Sequence, residues 1–120
     1  MHLFGLIGYP LSHSFSKKYF TEKFADLQLS DCRYDNYEMQ DLSGLEKLLQ
    51  HPELSGLNVT IPHKQAVLPF ISWLDPVAKA TGVVNTIKLQ RDGDSTSVQG
   101  FNTDAWGFRM AVLPMLPGIS

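Results

Sequence analysis

Pro62 narrows what this chain can fold into more than any other residue. Ahead of it, Leu57, Val59 and Ile61 alternate with Asn58 and Thr60, the period-two pattern of a strand with one apolar and one polar face. Pro62 has no amide hydrogen and biases Ile61 toward an extended conformation, so the strand should stop there and a helix should follow, with Lys64 in or near its first turn. The positive end of a helix dipole disfavours a cation, by a few tenths of a kcal/mol up to about one. Lys64 therefore reads two ways, as a solvated surface lysine or as a residue kept for chemistry.

The rest of the chain continues this alternation of strand and helix signals, with no internal repeat and no low-complexity tract. His2 to Ile7 is a short apolar run closed by Gly8-Tyr9-Pro10, the pattern of a strand buried in a mostly parallel sheet. A polar loop precedes Lys17 to Leu29, where Phe20, Phe24 and Leu27 recur at helical spacing and Ser14 or Ser16 serves as the cap. Cys32 to Met39 reads as a second strand, and Asp41 to Gln50 as a second helix with Leu42, Leu45, Leu48 and Leu49 as its stripe. Asp41 is the natural cap there, and Ser43 with Glu46 offers an alternative capping box. The third strand runs from Leu54 to Ile61, and a third helix from Lys64 to Leu74 buries Val67, Phe70 and Ile71. Asp75-Pro76 opens a short helix ending at Gly82. Val83 to Gln90 and Thr96 to Phe101 flank Asp92-Gly93 as a β-hairpin. A last helix runs from Asp104 toward Leu116, with its reliable end near Leu113, ahead of Pro114. These elements predict one domain over residues 1–120, an α/β chain built as a three-layer α/β/α sandwich on a mixed, mostly parallel sheet.

Composition excludes several classes of function. With 43% apolar and 18% charged residues and a net charge of -2, the chain has no basic surplus for a nucleic-acid backbone. Cys32 is the single cysteine, which permits no internal disulfide and fits a reducing compartment. The run from Leu3 to Ile7 lacks a basic flank and is too short to span a bilayer, so it is neither a signal peptide nor a membrane segment, and the cytoplasm is the default location. His2, His13, His51 and His63 show no metal-ligand spacing. No Gly-x-Gly occurs, so neither a dinucleotide fingerprint nor a phosphate-cradling loop is present.

The unusual polar residues cluster by position instead. Open α/β sheets bind ligands beyond the carboxyl ends of their strands. Ser14 and Ser16 follow the first strand, Asn58, Thr60 and Lys64 end the third, and Asn102, Thr103 and Asp104 follow the last. Hydroxyls and amides both donate and accept, so such a set suits a small polyhydroxylated or carboxylated ligand. Asn85 lies within a strand pattern, where an unpaired amide costs on the order of 1–3 kcal/mol. It needs a partner, either a ligand or a neighbouring loop.

Four motifs then fall in register: Gly8-Tyr9-Pro10-Leu11-Ser12-His13-Ser14-Phe15-Ser16, Asn58-Val59-Thr60-Ile61-Pro62-His63-Lys64, Gly82-Val83-Val84-Asn85-Thr86 and Gly100-Phe101-Asn102-Thr103-Asp104. In order and spacing they resemble the substrate-binding domain of shikimate dehydrogenase, over essentially the whole chain. In that family this domain comes first and an NADP-binding Rossmann domain follows. The enzyme reduces 3-dehydroshikimate to shikimate on the route to aromatic amino acids. The resemblance implies that Ser14 and Ser16 bind the substrate carboxylate, that Asn58, Thr60, Asn85 and Asn102 bind its hydroxyls or hold the site, and that Lys64 and Asp104 form the catalytic pair. It also implies that the chain alone, without the NADP-binding domain, is inactive.

One local departure is Ala105-Trp106-Gly107, where many members place Gly directly after the motif Asp. Inside the enzyme class a quinate-using relative is the nearest rival, because the two ligands differ by little more than a hydroxyl and a ring double bond. Outside it stands a non-catalytic binding module of the same fold, for which Lys64 and Asp104 would be surplus.

Overall fold

The computed structural model describes residues 1–12 and 15–103. In chain order its strands are β1 (His2–Gly8), β2 (Cys32–Glu38), β3 (Leu54–Val59), β4 (Trp73–Leu74), β5 (Thr86–Asp92) and β6 (Ser95–Phe101). Its α-helices are α1 (Ser16–Asp26), α2 (Leu45–Leu49) and α3 (Pro76–Thr81). The strands form one sheet in the order β2-β1-β3-β5-β6-β4. β1 is parallel to both β2 and β3, and β4 is parallel to β6, while β5 runs antiparallel to β3 and β6. The sheet is therefore mixed and mostly parallel, as its residues predict.

From β1 the chain crosses to β2 on one side, then returns past β1 to β3 on the other. Crossovers of one hand running in opposite directions deposit their helices on opposite faces. Phe4, Leu6 and Tyr34 pack with Phe24 of α1 on one face. Ile7, Leu57 and Val59 pack with Leu45 of α2 and Ala78 of α3 on the other. The result is the expected three layers.

Several boundaries differ from the sequence reading, each for a local reason. α1 ends at Asp26 rather than Leu29, because Gln28 takes φ 58 and the Leu29 N–H turns back to the Phe24 carbonyl. Its N-cap is Phe15, which has no side-chain capping bond, and Ser16 is the first helical residue rather than the cap. α2 keeps only Leu45–Leu49 of the predicted Asp41 to Gln50. Asp41 accepts from the Ser43 N–H at 3.0 Å, a local turn that competes with helix, and Gly44 becomes the N-cap, so neither predicted cap forms.

The helix expected over Lys64 to Leu74 is absent. In its place lie turns, a 3₁₀ segment over Leu68–Phe70 and the short strand β4. Pro69 explains the failure, since inside a helix its ring would meet the Gln65 carbonyl and its missing N–H would forfeit a bond. The chain pairs instead with the sheet edge, the Ser72 N–H donating to the Val98 carbonyl at 2.8 Å. Lys64 consequently sits in a turn, and the unfavourable helix dipole expected there does not arise.

Asp75 caps α3 as expected, accepting from the Ala78 N–H at 2.7 Å, and Gly82 closes that helix at φ 68, where a side chain would be strained. The hairpin forms with its first strand starting at Thr86 rather than Val83, so Asn85 stands just before β5 instead of inside it. The helix expected from Asp104 lies outside the described residues. Among the described residues, no helix is long and apolar enough to cross a membrane.

Candidate functional site

The strand order reverses between β1 and β3, and open α/β sheets place their ligand crevice at that point. A cleft of about 640 Å³ opens there, lined by Leu6, Pro10, Leu11, Phe15, Ser16, Tyr19, Phe20, Thr60 and Ile61. The loop after β1 is tied to both neighbours. Tyr9 N–H donates to the Ile61 carbonyl at 3.0 Å, Leu11 N–H to Glu38 Oε1 at 3.1 Å, and Met39 N–H to the Gly8 carbonyl at 3.0 Å. Gly8 has to be glycine, because a Cβ there would lie 2.3 Å from Thr60 Cγ2. The close approach of the β1 and β3 ends thus sets where Thr60 stands.

Asn58 and Thr60 share the α1 face of β3, as the alternation predicts, while Leu57 and Val59 are buried on the other. Tyr34 of β2, 1% exposed, stacks on Phe20 with ring centroids 4.9 Å apart and donates its hydroxyl to Asn58 Oδ1 at 2.7 Å. Ser16 bonds to the same phenol. Burial pushes the Tyr34 phenol well above its ordinary range, and the Ser16 hydrogen bond opposes that shift only in part. The phenol is therefore neutral at physiological pH and works as a hydrogen-bonding group.

A second cluster stands at the same end of the sheet, since Asn58 pairs with Thr86 and Thr86 with Phe101. Asn85 Oδ1 accepts from the Thr103 N–H at 2.9 Å, from Thr103 Oγ1 at 2.9 Å and from Thr86 Oγ1 at 3.1 Å. The two threonine hydroxyls are themselves 3.0 Å apart, and both residues are buried. Asn85 thus takes the neighbouring-loop option left open above, and it fixes the segment that leads into Asp104. Asn102 donates from Nδ2 to Thr81 Oγ1 at 3.3 Å.

Residues 6–87 match the family model described as the shikimate dehydrogenase substrate binding domain. The chain belongs to that family. It is 37% identical over 109 residues to a shikimate dehydrogenase (NADP(+)) of Clostridium beijerinckii, covering 90% of this chain and 39% of that protein. Among solved structures, the dehydroquinate dehydratase and shikimate dehydrogenase of S. pombe superposes with a TM-score of 0.81 at 36% identity, over 86% of this chain and 19% of that one. A shikimate 5-dehydrogenase of Thermus thermophilus, solved in complex with NADP(H) and shikimate, gives a TM-score of 0.74 at 32% identity, over 96% of this chain and 42% of that one. The chain spans about two fifths of the length of the curated relatives it matches.

Of the site residues that the shikimate dehydrogenase motifs single out, Ser16 and Thr60 line one cleft and Asn58 joins Ser16 through Tyr34. Asn85 and Asn102 lie at the same sheet end but not on the cleft lining. Lys64 is half-buried, and its carbonyl accepts from the Val84 N–H at 2.9 Å. Ser14, His13 and Asp104 lie outside the described residues. Sequence reasoning misses Tyr34, an ordinary aromatic of β2 in any linear reading, and it leaves Thr103 without a role although Thr103 falls inside the last motif. His63, which shows no metal-ligand spacing in the sequence, is a packed residue, 3% exposed, and donates from Nε2 to the Met39 carbonyl at 2.6 Å, tying the turn after β3 to the end of β2.

Cys32, the first residue of β2, is partly buried and packs against the cluster of Phe4, Phe24 and Tyr34. Burial first, and then the Asp31 carboxylate, push its thiol from 9.0 up to about 11. Fewer thiolates form at neutral pH, while each is a stronger nucleophile, and the two effects together leave alkylation by iodoacetamide at pH 7 roughly tenfold slower than for a free cysteine. Stopped-time mass spectrometry of the folded and urea-unfolded chain measures this directly. Equal rates in the two states would refute it.

Proposed function

We propose that this chain, over residues 1–120, is the substrate-binding domain of an NADP-dependent shikimate dehydrogenase, which reversibly reduces 3-dehydroshikimate to shikimate. The observation that carries the reading is the meeting of Ser16, the first residue of α1, and Thr60, just after β3, on one cleft at the sheet's switch point, with Asn58 wired to Ser16 through Tyr34, in a chain of this family. Ser14 and Ser16 bind the carboxylate, while Asn58, Thr60, Asn85 and Asn102 bind hydroxyls or hold the site. Lys64 and Asp104 form the catalytic pair, with Lys64 moving the proton at the carbonyl oxygen and Asp104 orienting it.

The described residues of this chain do not suit the dinucleotide. In the turn after β1, Pro10 has no N–H, and the Tyr9 and Leu11 N–H groups are spent on Ile61 and Glu38. No cradle remains there for a pyrophosphate, and the Glu38 carboxylate would repel one. The NADP that supplies hydride belongs to a Rossmann domain outside these residues.

Amide chemical-shift titration of the chain with shikimate tests the reading. Weak binding is expected, because the cleft is open on one side and desolvation is incomplete. Ser16, Asn58, Thr60 and Asn102 should shift together, and quinate should shift them less. Perturbations scattered away from these strand ends, or none at millimolar ligand, would count against the site. A stronger response to quinate would assign the chain to the quinate-using branch.

A further inference from the structure

Tyr34 lies behind the cleft, off its lining, yet it joins two of the residues assigned to the ligand. We propose that Tyr34 is a positioning residue, whose hydroxyl fixes which way the Asn58 amide faces and holds Ser16 in place beside it. This inference rests on the shikimate reading given above and deepens it.

Counting protons gives each bond its direction. A phenol has one hydrogen to donate, and a carbonyl oxygen can only accept. At 2.7 Å the Tyr34 hydrogen therefore goes to Asn58 Oδ1. The bond between Ser16 and Tyr34 must then run the other way, with the serine hydroxyl donating to the phenol oxygen. Every bond in the chain from Ser16 to Tyr34 to Asn58 has a fixed sense. Asn58 is thereby turned with its oxygen toward β2, and its Nδ2 makes no hydrogen bond among the described residues. That N–H pair is left as the donor face of Asn58. A ligand hydroxyl or carboxylate oxygen meets a donor at this position and not a second oxygen.

The surroundings allow little slack. Tyr34 is 1% exposed, and Phe20 stacks against its ring at 4.9 Å with 20° between the planes. Asp35 and Arg33, the charged neighbours on β2, pair with each other at 2.7 Å. Without the hydroxyl, the Asn58 amide can rotate and offer its oxygen to a ligand oxygen. The expected consequence is weaker binding with the fold retained.

The test uses the chain itself and Tyr34→Phe, which keeps the ring and its stacking. Shikimate binding by amide titration should weaken about tenfold in Tyr34→Phe, as expected when a polar contact is misdirected. In an Asn58→Ala background the same change should cost less than about threefold, because only the hold on Ser16 is then left to lose. A purely structural role predicts equal factors in the two backgrounds. Unchanged affinity in Tyr34→Phe, or factors that multiply fully, overturns the role of Tyr34 alone. Absence of any binding by the unmodified chain overturns the shikimate reading and the role together. Should Tyr34→Phe fail to fold, the unmodified chain still decides. Its Tyr34 hydroxyl proton should exchange slowly enough to be seen by NMR and show cross-peaks to the Asn58 and Ser16 side chains, and a fast-exchanging proton with neither cross-peak overturns the wiring.

Discussion

Replacing Lys64 with alanine, in a two-domain enzyme that carries this chain as its substrate half, is expected to lower kcat about 10²-fold or more with little change in KM. Reduction of the substrate carbonyl leaves an oxygen that must gain a proton, and oxidation in the reverse direction must remove one. An ammonium can stabilise the developing charge and supply that proton, which is help given mostly in the transition state. The backbone around Lys64 does not depend on its side chain. The Lys64 carbonyl is held by the Val84 N–H at 2.9 Å, and the neighbouring turn is closed by the bond from the His63 N–H to the Thr60 carbonyl at 3.0 Å. Alanine leaves all of that in place, so the loss reports on the amine. Ser16→Ala should show the opposite split, raising KM with kcat less affected, because a carboxylate contact serves ground and transition states alike. Steady-state kinetics in both directions separate the two roles. Were Lys64→Ala to raise KM alone, the lysine would be an anchor, and the proton would have to come from Asp104 or a bound water.

The first three strands of this fold are legible because each is a short apolar or alternating run closed by turn residues. His2 to Ile7, Cys32 to Met39 and Leu54 to Ile61 match β1, β2 and β3 to within two residues at their ends. The stretch from Lys64 to Leu74 misleads because Val67, Phe70 and Ile71 have helical spacing, while one imino acid, Pro69, overrides the pattern. Helix α2 is shorter than its leucine stripe for a similar reason, since Asp41 satisfies itself locally on Ser43. The site is legible in a different way. Which strand ends carry polar residues can be seen in one dimension, because topology sends every such end to one edge. Which of those residues bond to one another cannot. Tyr34 meets Asn58 across 24 positions and Asn85 meets Thr103 across 18, so these partners are chosen by sheet order and not by spacing.

The cluster around Asn85 carries the second large effect. Asn85→Ala removes one acceptor shared by three donors, the Thr103 N–H and the hydroxyls of Thr103 and Thr86. One hydroxyl can still donate to the other across 3.0 Å, so two donors are orphaned. With Thr86 at 0% and Thr103 at 7% exposed, water replaces the lost partner poorly. At about 1–3 kcal/mol for each unsatisfied buried group, the chain loses about 3 kcal/mol. For a domain of this size that corresponds to a fall in Tm of about 10 °C. Asn85→Asp separates this account from a general packing defect, because a carboxylate accepts all three bonds and fills the same space. It should retain more than half of the stability that alanine loses. Hydrogen exchange adds a local readout: the Thr103 amide should be protected in the unmodified chain and in Asn85→Asp, and open in Asn85→Ala. Equal losses in the two variants, or a Thr103 amide that exchanges equally in all three proteins, would show that the three bonds to Asn85 do not hold the end of the chain segment at Thr103.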